Sequence, residues 1–252
     1  MKILITILTT ILAVVTPFNP FYASCGLKID HTPIIVYNLE DAEEAFKKLG
    51  FVIKPGYKHK NGILNSHVKF TNGTEIELIS VNNPRDDIAR SYTKFLKNGE
   101  GGTYLALSTD SLSNTRLLLE KAEIDFEILS KGFFTYIIFP RTPGLQHIFI
   151  IHYKNTFQTP KEYFEHAVKT KGITDVSITG NENTMKFFKA FGCFAINEYK
   201  ADKGIAYELT DGRVTLVPAD KSPIFRVKGV NLNPEKNTAE PIKIYGFELI
   251  LN

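Results

Sequence analysis

Regular alternation of apolar and polar positions begins at residue 29. Ile29-Asp30-His31 opens a strand in which His31, Pro33 and Ile35 share one face and Thr32, Ile34 and Val36 the other. Asn38 then caps a short helix, with Asp41 placed to answer it. Leu39, Ala42, Ala45, Phe46 and Leu49 fall on one stripe at helical spacing, and the charged residues Glu40 to Lys48 lie largely outside it. Gly50 supplies a left-handed stop. Phe51 to Lys60, Ile63 to Thr71 and Thr74 to Val81 read as three strands separated by Asn61-Gly62 and Asn72-Gly73, pairs suited to hairpin turns. Ile29 to Val81 is therefore predicted as β-α-β-β-β.

The same order recurs. A helix is expected from Asn83-Pro84-Arg85-Asp86, with Ile88, Tyr92, Phe95 and Leu96 buried and Gly99 as its end. Thr103 to Asp110 then reads as a strand, and Ser111 or Ser113 caps a helix through Ala122. Three strands follow at Asp125 to Ser130, Phe133 to Pro140 and Leu145 to His152. Thr159-Pro160-Lys161-Glu162 has the form of a capping box, predicting a connecting helix through Val168 that ends near Gly172. A third unit starts at Ile173 to Thr179, with a helix carrying Met185, Phe188 and Phe191 and strands near Cys193, Ile205 and Arg213. His31, Thr103 and Asp175 stand at corresponding first-strand places in this register, the trace of a repeated supersecondary unit. Ser222 to Pro241 is polar and loop-like, although Ile224 to Val230 could form a short strand, and Lys243 to Leu251 reads as a last strand. The fold class is α+β, tandem βαβββ modules whose mixed sheets curl around a cleft. The expected division is a leader over 1–25, paired modules over 26–158, and a third module with connecting helix and C-terminal strand over 159–252.

Composition changes this picture at one end only. Lys2 precedes a charge-free apolar run from Ile3 to Val15, too short for a spanning helix and of the form of a secretory signal peptide. Ala23-Ser24-Cys25 resembles the end of a bacterial lipobox, which would put a lipid on Cys25, while ordinary cleavage near Ala23 to Gly26 is the alternative. Export to the periplasm or cell envelope is expected in either case. The formal charge of +3 is too small and too dispersed for a nucleic-acid binder. Cys25 and Cys193 are the two cysteines of the chain. An oxidising compartment would permit a disulfide between them, and Cys193, among Phe residues, also suits a small buried hydrophobe.

Chemistry concentrates on two strands. Glu75, Glu77 and Ile79 share a face, and a carboxylate beside Ile79 is costly to bury unless something pairs with it. His31 and Glu77 could hold Fe, Mn, Ni or Zn, since imidazole and carboxylate suit such ions. A hydrogen-bonded histidine and a surface glutamate are the plainer reading of residues so far apart in sequence. His59 on its hairpin reads as solvated, Asn65 as a turn residue, and His67, His147 and His152 as strand-face residues. No phosphate-cradling glycine motif, nucleophile elbow or HExxH helix is present.

Taken in order, several stretches resemble the glyoxalase-like domain proteins of the vicinal oxygen chelate superfamily. They are Ile29-Asp30-His31, Lys48-Leu49-Gly50-Phe51, the hairpin from Gly56-Tyr57-Lys58-His59 through Gly62 to Asn65, Thr74 to Ile79, and His152-Tyr153-Lys154-Asn155. The resemblance is good over Ile29 to Val81, fair through Asn155 and mostly architectural beyond Gly172. It implies paired modules whose first and fourth strands supply ligands to a metal that binds adjacent substrate oxygens. His31 and Glu77 match the ligands of the first module. In the second, Thr103 stands where His or Glu is expected, and His147 serves only if the register slips by a residue. The third offers Asp175 and Thr215. His59 and Asn65 match polar positions at the cleft mouth and are expected to touch substrate. Two functions follow from the resemblance: a cell-envelope protein binding a small organic ligand without catalysis, or a divalent-metal-dependent lyase, isomerase or dioxygenase. In the enzyme, Glu77 would move a proton on the carbon beside the polarised oxygens. Paired units could lie within one chain or across a homodimer.

Overall fold

The computed structural model describes residues 25–155, 158–196, 204–218, 225–232 and 240–251. The leader-like segment lies outside them. The first module is built as its pattern predicts. β1 (Leu27–Ile35) leads through Asn38 into α1 (Leu39–Lys48), followed by β2 (Lys54–Lys58), β3 (Ile63–Lys69) and β4 (Glu75–Val81). The Asn38 side chain accepts from the backbone N–H of Glu40 and Asp41, but Asp41 returns no reciprocal bond, so the cap is single-sided. β4 lies parallel beside β1 with His31 opposite Glu75 and Pro33 opposite Glu77. Ile34, Val36, Ile76 and Leu78 pack with Ala42 and Phe46 of α1 in the main core, so the alternate set, His31, Ile35, Glu77 and Ile79, faces the other way.

α2 (Asp87–Leu96) covers part of that second face, laying Ala89, Tyr92 and Phe95 against Ile35, Ile63 and Ile79. Its cap is Asp86, which accepts from Ala89 N at 2.8 Å. The helix therefore starts later than the Asn83-Pro84 pattern suggested, and Ile88, expected in the core, is 46% exposed. Tyr92, Phe95 and Leu96 pack as expected, and Ala89 takes the place expected of Ile88.

β5 (Gly101–Gly102) and β6 (Leu105–Thr109) then run antiparallel to β1, so the modules pair within one chain. α3 (Leu112–Lys121), capped by Ser111, and β7 (Glu127–Lys131), β8 (Phe134–Ile138) and β9 (Ile148–Tyr153) complete the second module, with β9 parallel to β6. Thr103 lies between β5 and β6 instead of inside a strand. The predicted connecting helix is reduced to one 3-10 turn, Lys161–Phe164. Pro160 makes no side-chain cap there and Glu165 leaves helical geometry.

The third module is β10 (Asp175–Gly180), α4 (Glu182–Ala190), β11 (Phe194–Ile196), β12 (Ile205–Glu208) and β13 (Arg213–Pro218). Asn181 and Thr184 form a full capping box on α4. β14 (Val227–Asn231) runs antiparallel to β10 as β6 does to β1, and it is parallel to β16 (Phe247–Ile250), which hairpins with β15 (Ile242–Ile244). The end of the chain is thus a reduced fourth module without a described helix, where the sequence showed one terminal strand. β5 bridges the two pairs by contacting both β1 and β14, and a single sheet of sixteen described strands results. One core cluster extends from Cys25 and Leu27 to Leu249, so all the modules share it. Cys25 and Cys193 lie buried in that cluster and are not bridged.

Candidate functional site

On the face of β1 and β4 away from α1, the His31 ring and the Glu77 carboxylate meet. His31 Nε2 is 3.6 Å from Glu77 Oε2, and the side chains are 12% and 15% exposed. The other ring nitrogen is held by its neighbour in sequence. The register of β1 against β6 shifts between Ile29 and His31, and this irregularity lets adjacent side chains converge. Asp30 Oδ1 lies 2.6 Å from His31 Nδ1 and also accepts from the Tyr153 hydroxyl at 2.9 Å. Burial alone would depress the His31 pKa, but the hydrogen bond and charge of Asp30, then the charge of Glu77, raise it instead.

β3 supplies the next row. Asn65 Nδ2 donates to Glu77 Oε1 at 2.7 Å, and Asn65 Oδ1 accepts from Tyr57 N at 2.8 Å. Asn65 is therefore a positioning residue that fixes one carboxylate oxygen, and Gly56 is what admits it: a Cβ at Gly56 would stand 2.3 Å from Asn65 Oδ1. His67 lies opposite Glu77, with Nδ1 3.3 Å from Glu75 Oε1, while Lys69 forms an ion pair with Glu75. Burial, aided by Lys69 and Lys54, outweighs Glu77 and lowers the His67 pKa to about 4, so its ring is neutral at pH 7. Sequence reasoning placed His67 on an exposed strand face and passed over Asp30 as a participant. Alternation on β3 was the signal available for His67. Nothing local announced the irregularity that turns Asp30.

The opposite wall comes from the second module and is aromatic. Phe149 meets His31 edge-on at 5.7 Å and lies 6.0 Å from Tyr104 and 6.2 Å from Tyr136. The helix caps settle which residues correspond between modules. Tyr104 stands as far before Ser111 as His31 before Asn38, and both helices stop at a positive-φ residue, Gly50 and Glu123. Leu105 pairs with Ile148 as Thr32 pairs with Ile76, which puts Phe149 in the place of Glu77. The second module therefore contributes Tyr104 and Phe149 where the first contributes His31 and Glu77. Thr103 is not the counterpart of His31.

The remaining expectations fare differently. His147 corresponds to Glu75 and is not a third donor beside His31 and Glu77. Its ring stacks on Phe225 at 5.3 Å and contacts Tyr104 at 5.0 Å. His59 is exposed on the β2–β3 turn, its ring 6.2 Å from Tyr57. Asp175 is closed off by Arg213 Nε at 2.7 Å and the Thr215 hydroxyl at 3.0 Å, so this pair serves the fold. Among the described residues no group of three or more His, Cys, Asp or Glu side chains could hold a metal ion. The 3.6 Å gap suits two donors about 2.1 Å from one ion, but structural and catalytic sites draw on at least about three protein ligands. Two donors opposed by two aromatic rings do not fit a resident ion.

The sequence profile of the glyoxalase-like domain matches residues 29–188. The chain belongs to this family. Its architecture agrees with the vicinal oxygen chelate superfamily that the sequence resembles. A hypothetical protein from Staphylococcus aureus shares the fold at TM-score 0.65 and 14% identity, over 88% of this chain and 98% of that one. A triple mutant of 4-hydroxymandelate synthase from Streptomyces coelicolor aligns at TM-score 0.55 and 14% identity, over 81% and 70%. A fusion of a xylose isomerase-like TIM barrel with 4-hydroxyphenylpyruvate dioxygenase aligns at 0.52 and 14% identity, over 83% of this chain and 36% of the fusion. No curated protein matches the sequence. In this glyoxalase-like chain the fold is kept, and half of the expected donor positions carry aromatic rings.

Proposed function

We propose that this glyoxalase-like protein binds a small organic ligand in the cleft over His31 and Glu77 without a resident metal. The observation that carries this reading is the replacement of the second module's donors by Tyr104 and Phe149, which turns half of an ion's shell into an aromatic wall. A ring-bearing ligand would lie against Phe149 and Tyr136, and its oxygens would meet the Asp30-His31-Glu77 group and the Tyr153 hydroxyl. Asp30 orients the imidazole, and Asn65 holds Glu77 in place. The leader-like opening supports a place in the cell envelope, reached by export. Buried Cys25 favours ordinary cleavage over a lipid on that sulfur.

A second reading draws on the 3.6 Å approach of His31 Nε2 to Glu77 and on the carboxylate behind Nδ1, an arrangement common around metal-bound imidazoles. It makes the protein a divalent-metal-dependent lyase, isomerase or dioxygenase in which the ion would polarise vicinal oxygens. One experiment separates the two. Chelator-treated protein is titrated with catechol and simple dicarbonyl compounds and followed by NMR. Saturable binding that His31→Ala and Glu77→Gln each weaken by about tenfold or more is expected, the scale of one lost charge-assisted contact. Turnover of such compounds that depends on added metal overturns the proposal in favour of the second reading.

A further inference from the structure

A hollow away from His31 and Glu77 lies against Tyr104. Its volume is about 690 Å³, inside the roughly 300 to 1,000 Å³ of small-molecule sites. α2, the loop before β9, the cap of α4 and Phe225 line it, and it opens to solvent. The loop is locked to the third module beneath the hollow. Pro143 O accepts from Asn181 Nδ2 at 3.3 Å and from Asn183 Nδ2 at 2.9 Å, and Gly144 O accepts from Thr184 Oγ1 at 3.3 Å. A Cβ at Gly144 would stand 2.3 Å from the Asn181 amide, so this junction is close-packed.

Four rings, Phe95, Tyr104, His147 and Phe225, face this space. The His147 and Phe225 rings are stacked at 5.3 Å with 10° between their planes, while the Arg226 guanidinium sits 4.9 Å over the Phe95 ring and steadies it. Such a surface suits another flat ring. Its electrostatics are one-sided. Lys94 is the charged residue among the described lining, no acid accompanies it there, and no described carboxylate pairs with it. Two polar groups are also unspent. His147 Nδ1 is buried with no hydrogen-bond partner, and Gln146, whose Oε1 accepts from Gly144 N at 2.9 Å, keeps its amide N–H groups.

We propose that this hollow is a second ligand site, which takes a planar organic anion such as an aryl carboxylate or sulfonate. The ring of the ligand lies against the His147 and Phe225 pair, and its charge turns toward Lys94. Bare phosphate or a metal ion would leave the aromatic lining unused, and one exposed cation is too little for a polyanion. The site is distinct from the His31 cleft, and its test does not depend on what that cleft binds.

The test uses anilinonaphthalene sulfonate as the probe, with uncharged phenylnaphthylamine as its comparison. The full-length protein should show saturable fluorescence enhancement at one probe per chain. The uncharged compound should bind at least about tenfold more weakly, as should the sulfonate to Lys94→Glu, since each removes a charge-assisted contact. Lys94 is exposed, so the variant should fold as the parent does. In the unaltered protein, the His147 ring resonances should move on probe addition while those of His31 stay. Equal binding of the two compounds, unchanged binding by Lys94→Glu, movement of His31 in place of His147, or absence of saturation would each overturn the proposal.

Discussion

At the scale of residues, buried imidazoles divide by what surrounds them. His31 keeps a raised pKa because two carboxylates face it, while His147 has rings around it and only Lys94 among charged groups nearby. Burial, with Lys94 adding to it, lowers the His147 pKa to about 4. The unfolded chain binds a proton near pH 6.5, so between those values the unfolded state holds more protons than the native one. This contribution to stability is complete above about pH 6.5 and is lost as pH falls toward 4. Its ceiling is on the order of 3 kcal/mol. His147→Gln should therefore flatten the fall in stability between pH 6.5 and 4, read from urea midpoints across that range. His31 has the opposite sign. Its raised pKa favours the fold at low pH and ceases to do so as pH rises through the folded value. Residue types alone would have made these two histidines equivalent candidates for one ion, and their neighbours separate them.

At the scale of elements, caps carry the local structure. Asn181 closes the capping box of α4 and also donates to Pro143 O across the module boundary. Asn181→Ala should cost about 1 to 2 kcal/mol by the loss of the cap, seen as a lowered Tm, and should raise hydrogen exchange in the first turn of α4. What the sequence made legible follows the same logic. α1 was readable because a capping residue, an apolar stripe and a stop agree there, α3 from its serine cap and α4 from its apolar stripe. The connecting helix was misread from a capping pattern with no helical propagation behind it, because Glu165 turns away after one turn. α2 differs at its start, since Pro84 looked like a first helical residue and Asp86 is the cap, while Tyr92, Phe95 and Leu96 pack as expected. Strand alternation put His31 on the side of Ile35 and Glu77 on the side of Ile79, but it was the family resemblance, not the pattern, that joined the two in one site. The identity of Tyr104 and Phe149 as their counterparts was not legible, because correspondence between modules depends on where each strand meets its helix, and a one-residue error selects Thr103. Asp30 was hidden by a strand irregularity that no local composition signals.

At the scale of the whole molecule, two module pairs are stitched by a two-residue strand. Gly102 pairs with Ile34 on one side and Val227 on the other, and a Cβ there would lie 2.5 Å from Val227 O. Gly102→Val should loosen the second pair, raising hydrogen exchange in β14 and β16 more than in β1 and β4. Equal protection across all four strands would show that the shared core, not this stitch, holds the pairs together. Within the first pair, one module gives a polar half-site and the other an aromatic one, and the account of function rests on that asymmetry. The direct measurement is calorimetric titration of Zn, Mn, Ni and Fe(II) into chelator-treated protein and into the Tyr104→His, Phe149→Glu double variant, which restores the missing donors. The unaltered protein should bind no ion stoichiometrically, and the variant should gain one site per chain. One tight site per chain in the unaltered protein, lost in Glu77→Gln, would contradict the account.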